Sequence, residues 1–172
     1  MELMSNVTTS AATDWESRLA ALLPLFGHRN WVVVADSAYP AQSRPGIETV
    51  VADADHIHVL RTVIDAIGAS KHIRANVYLD NELEFVPEKD APGVANFRHE
   101  LEVLLADSTP IRLPHDQIIA KLDQSAQVFR ILVIKTDLII PYTSVFFELD
   151  CGYWNAEAEK RLRERIQAAN PR

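Results

Sequence analysis

The sequence predicts an α/β protein built on a central sheet. Two continuous β-branched runs, "WVVVAD" at 31–36 and "FRILVIKT" at 129–136, predict strands; the first reads as buried on both faces. Between and around them, strand-like and helix-like segments alternate through most of the chain. The 172 residues are 48% apolar, which suits one domain of ordinary size with a core that needs no staples.

The elements follow in order. Thr13 and Glu16 form a capping-box pattern. Trp15, Leu19, Leu22, Leu23 and Phe26 then keep helical spacing, and Gly27 is placed to end that helix. After "WVVVAD", "IETVV" at 47–51 predicts a second strand. "DHIHVLRTVIDAIG" sets Leu60, Val63, Ile64 and Ile67 on one helical face, with Gly68 as its stop. "IRANVYLD" at 73–80 predicts a strand, and the Pro- and charge-rich residues 84–93 a loop. A helix carries Phe97, Leu101, Leu104 and Leu105, and another, "HDQIIAKLDQSAQ", begins just after Pro114. "FRILVIKT" comes next, then Pro141, then a last strand, "SVFFEL". Asn155 is placed to cap a charged final helix, "AEAEKRLRERI". The organisation expected is a flexible tail over 1–12, one domain over 13–152 and a helical extension over 153–172.

Composition narrows the function. A net charge of −7 disfavours nucleic acid and an anionic membrane surface, so neither is expected as a partner. The single cysteine, Cys151, excludes an intramolecular disulfide and favours the cytoplasm; next to Tyr153 and Trp154 it is expected to be packed. The first residues show no basic and apolar export signal, so the "NVT" sequon at 6–8 is expected to be silent. There is no internal repeat or low-complexity segment.

Phosphate-cradling glycine loops and a nucleophile elbow are absent, as are paired-Cys zinc motifs. His56 and His58 are two apart on a predicted helix and point roughly 200° apart, so no metal is expected there; they read as residues of that helix's first turn. His28, Asp36, Tyr39, His115 and Tyr142 remain. Histidine exchanges protons near neutral pH, and Asp36 ends a central strand, where open α/β sheets collect ligands. Each also has a structural reading, as a turn or cap residue.

"GHRNWVVVADSAYPAQS", residues 27–43, resembles the opening of the ribose pyranase / fucose mutarotase family (RbsD/FucU-like). There a Gly-His pair precedes a short β run and an Asp, and the spacing from His28 to Asp36 matches. The "YPAQS" loop is closer to the fucose mutarotase branch. "VIKTDLIIPYTS" resembles the family's C-terminal strand, loop and Tyr-x-Asn element, with Ser144 where the family has Asn. "HDQI" resembles the start of a helix in the pyranase branch, although the interval from His115 to Tyr142 is longer here.

The resemblance implies a three-layer α/β/α fold with a mostly parallel or mixed sheet. It also implies an isomerase that interconverts ring forms of a free monosaccharide without cofactor or metal, by way of the open-chain aldehyde. His28 would be the catalytic proton donor to the ring oxygen. Asp36, Tyr39, His115, Tyr142, Thr143 and Ser144 would bind the sugar. Family members form rings, pentamers often paired into decamers.

Eight residues of strand reach about 26 Å when extended, so His28 and Asp36 are not expected to touch one small sugar from a single chain. The expectation is a homo-oligomer with its site at the subunit interface. An L-fucose-like substrate is expected first. A D-ribose pyranase, a sugar-binding protein without turnover and a purely structural oligomer stay open beside it.

Overall fold

The computed structural model describes residues 15–170. The expected tail over 1–12 and the Thr13 cap lie outside them.

Six strands form one mixed sheet: β1 (Trp31–Ala35), β2 (Ile47–Val51), β3 (Ile73–Asp80), β4 (Ile111–Leu113), β5 (Ile131–Lys135) and β6 (Val145–Cys151), in the order β2-β5-β1-β6-β3-β4. β6 alone is antiparallel to its neighbours, β1 and β3; the other pairings are parallel. Every residue of β1 is buried, because β5 and β6 flank it and helices cover both faces. The apolar run in the sequence has this cause.

The helices are α1 (Trp15–Leu22), α2 (His56–Ala69), α3 (Val94–Leu104), α4 (His115–Ser125) and α5 (Ala156–Ala169). Alternate β1 residues feed two cores. Val32 and Val34 join α1, α2 and α3 on one face. Trp31, Val33 and Ala35 join Ile118 and Leu122 of α4 on the other. The layering is therefore the expected α/β/α, with a mixed sheet. No helix among the described residues is long and apolar enough to cross a membrane.

Two local expectations, both at helix ends, are corrected. The first helix stops at Leu22, well before Gly27, because Pro24 has no amide to extend the ladder. Gly68 sits inside α2, which Ser70 ends: its amide bonds the Ile67 carbonyl and its hydroxyl donates to that of Ala66. Residues 81–85 form a short 3-10 helix, and 111–113 form edge strand β4. β4 is three residues long, so it has too little length to show a period. Cys151 is half-buried, and Tyr153 and Trp154 near it are exposed.

Asn155 caps α5 as expected, accepting the Ala158 amide. No residue of α5 is buried. A free helix of this length is marginal in water and lends the sheet little. Deleting 156–172 is expected to move Tm by about 2 °C or less. A fall above about 5 °C in differential scanning calorimetry would mean that α5 packs on a neighbouring chain.

Candidate functional site

The topology sends the carboxyl ends of β1, β3, β4 and β5 and the amino end of β6 to one edge of the sheet. Chemistry-bearing residues collect there. Asp36 follows β1, and Ser144 precedes β6. The Ser144 hydroxyl donates to the Asp36 carboxylate at 2.9 Å and accepts the Asp36 amide at 3.3 Å. This pair is 108 residues apart in sequence and is joined by the β1–β6 register, in which Val34 faces Val145.

Asp80 ends β3 and is 1% exposed. Both its oxygens lie 3.0 Å from Nδ1 of His115, the first residue of α4. A carboxylate only accepts, so Nδ1 carries a hydrogen, and in the neutral ring Nε2 is the nitrogen with the lone pair. Burial pushes the Asp80 pKa up to about 6; His115 pulls it down, and the nearby Glu82 and Asp36 charges push it up further. Glu82 also fixes the start of α4 by accepting the His115 amide. The Tyr142 ring lies edge-on to His115, centroids 5.7 Å apart, and is part-exposed. Tyr142 has φ 60°, a left-handed conformation that a tyrosine holds at a cost of roughly 1–2 kcal/mol.

His28 lies at the opposite edge. Its Nδ1 donates to Asp150 at 2.8 Å, and Arg29 Nε donates to its Nε2 at 3.3 Å. Arg74 beside Asp150 holds that carboxyl below the usual range, with help from the Cys151 amide and His28 against partial burial. Each edge thus carries one carboxylate–imidazole pair, and His28 and Asp36 stand at opposite ends of β1.

Other expected residues are turned inward. Tyr39 is buried against Phe146 with its hydroxyl on Gln42, so its ring belongs to the core, and burial raises its pKa. Of the two readings open for Tyr39, a ring facing the sugar and a ring in the core, the packing agrees with the second. Thr143 is fully buried, its hydroxyl donated to Ile140. The Ser144 hydroxyl is taken by Asp36. His56 opens α2 and is buried with Thr136, whereas His58 is exposed.

Sequence reasoning passes over Asp80 and Asp150 and takes His56 only as a first-turn residue. The strand-end rule that selects Asp36 selects Asp80 equally. Among the described residues, no three His, Cys, Asp or Glu side chains gather as a metal site. An apolar cleft of about 420 Å³ lies between α2 and α3, lined by Ile64, Ile67, Leu104 and Phe147. It holds no imidazole, so proton chemistry places the candidate site at the carboxyl edge instead.

No protein-family model matches the chain, and no curated protein does. Solved structures do. RbsD of Bacillus subtilis, complexed with D-ribose, aligns with TM-score 0.54 and 16% identity over 90% of this chain and 100% of its own. The fold is that of RbsD. FucU from Bifidobacterium longum aligns with TM-score 0.50 and 15% identity over 78% of this chain and 94% of its own. The fucose mutarotase of Streptococcus pneumoniae, in complex with L-fucose, gives TM-score 0.48 and 16% identity over 77% and 91%. At such identities the RbsD likeness establishes architecture, and activity has to be argued from the side chains.

Proposed function

We propose that the protein is a cofactor-independent mutarotase acting on a free monosaccharide of the L-fucose type. The observation that carries the reading is the pair of carboxylate–imidazole units, His115–Asp80 and His28–Asp150, on opposite edges of an RbsD-like fold. Opening a sugar ring needs a proton delivered to the ring oxygen while the O1 hydroxyl loses one.

In this reading Arg29 swings off Nε2 of His28, that nitrogen takes up a proton while Nδ1 stays on Asp150, and the Nε2 proton passes to the ring oxygen as the C1–O bond breaks. His115 Nε2 takes the O1 proton as the aldehyde forms. Rotation about C1–C2 and the reverse transfers close the ring on the other face, so protons and electrons balance. Asp36 and the Tyr142 hydroxyl hold sugar hydroxyls, and Ser144 holds Asp36. The two edges of one chain are too far apart to share a sugar, so the site is built between copies. An edge-to-edge, head-to-tail contact makes a ring when its rotation closes, and the reading here is a pentamer or a pair of pentamers.

Two specific observations support other readings. The RbsD neighbour was complexed with D-ribose, which favours a ribose pyranase. The hydroxyls of Thr143 and Ser144 are both spent within the chain, leaving fewer groups for a sugar and favouring a binding protein without turnover.

NMR saturation transfer between anomers of L-fucose, D-ribose, D-galactose and L-rhamnose tests all three. The expected result is faster exchange for one sugar at catalytic protein levels. That exchange should fall about 10²–10⁴-fold in His28→Ala. Binding without acceleration would select the non-catalytic reading.

A further inference from the structure

His56 is the one histidine sealed in the core beside the candidate site. It is 2% exposed, with its ring edge-on to Phe97. Its Nε2 lies 3.0 Å from the Thr143 carbonyl, and its Nδ1 lies 2.7 Å from the Thr136 hydroxyl. A carbonyl only accepts, so Nε2 carries a hydrogen. Burial disfavours the imidazolium and lowers the pKa to about 4, so the ring is neutral and Nδ1 accepts from Thr136. Thr136 has one hydrogen for two acceptors, Nδ1 at 2.7 Å and the Ala35 carbonyl at 3.2 Å, and the shorter contact takes it.

The imidazole therefore bridges the end of β5 and the 141–144 segment. That segment carries Tyr142 in its left-handed conformation and Ser144 on Asp36. Strained residues persist where their surroundings over-determine them. Here the bonds at Thr143 and Ser144 sit directly beside the strained residue.

We propose that His56 is a positioning residue: its Nε2–H bond to the Thr143 carbonyl holds Tyr142 and Ser144 in the conformation that binds the sugar. The kinetic part rests on the mutarotase reading; the conformational part stands apart from it. His56→Phe fills the same space without the bonds, and His56→Gln can restore a donor to Thr143.

In full-length protein, His56→Phe is expected to raise KM for anomer exchange at least tenfold with kcat held within a factor of two or three, and His56→Gln to recover most of the loss. The amide resonances of Tyr142, Thr143 and Ser144 should shift in His56→Phe, while those of α5 stay. In the unmodified protein at pH 7, long-range ¹H–¹⁵N spectra should show the Nε2–H tautomer at His56.

Unchanged KM in an active His56→Phe protein, unmoved amides at 142–144, or an Nδ1–H tautomer would each overturn the inference. If the unmodified protein accelerates no sugar, the mutarotase reading fails alone, and the amide shifts and tautomer still decide the role of His56. If His56→Phe does not fold, His56→Gln and the tautomer decide it.

Discussion

Co-expressed His28→Ala and His115→Ala chains are expected to regain activity that neither shows alone. In a head-to-tail ring, each site takes His28 from one chain and His115 from the next. Random assembly of equal amounts then leaves roughly a quarter of the sites with both imidazoles. Each variant alone should fall about 10²–10⁴-fold, the usual contribution of a positioned acid or base. Recovery to about a quarter of the unmodified rate, read by anomer exchange on the purified mixed oligomer, would establish that the site spans chains. No recovery from two inactive, assembled variants would place both groups' work within one chain. Retained activity in either variant alone would remove that histidine from the mechanism.

The sequence reading recovered the parts that repeat locally. β1 and β5 are legible because both of their faces are buried, which writes continuous apolar runs. α2 is legible from Leu60, Val63 and Ile67, all buried. Asp36 was found because a strand visibly ends there. The rest is carried by pairings distant in the chain. His115 meets Asp80 because β4, a three-residue strand with no period of its own, pairs with the end of β3. Asp150 reaches His28 across 122 residues. His56 was read as a first-turn residue, which it is, but its burial depends on Phe97, Thr136 and Thr143. For Tyr39 the loop leaves a sugar-facing ring and a core ring equally open, and only the packing against Phe146 decides for the core.

Asp80→Asn is expected to move activity and stability in opposite directions. An Asn keeps the shape, but it carries no charge to orient the His115 tautomer or to stabilise the imidazolium that forms when His115 accepts a proton. Anomer exchange should fall about 10²-fold or more. The stability effect follows from the direction of the shift, with the folded pKa at about 6 against an ordinary carboxyl value near 3.8. The folded protein binds the Asp80 proton more tightly than the unfolded chain does. Its stabilising contribution is therefore complete below the unfolded pKa and is lost as pH rises through about 6. At higher pH, the buried charge lowers stability by on the order of 2–3 kcal/mol relative to acid. Asn cannot ionise, so the variant lacks this dependence. Urea unfolding of the two proteins at pH 4 and pH 8 should show the balance swinging towards Asp80→Asn at the higher pH, while its activity there is the lower. An equal stability difference at both pH values would mean that Asp80 ionises without penalty in the fold. Undiminished exchange in the variant would mean that His115 needs no carboxylate. Both outcomes matching the expectation would mark Asp80 as a charge kept in the core at the expense of stability, because the chemistry at His115 depends on it.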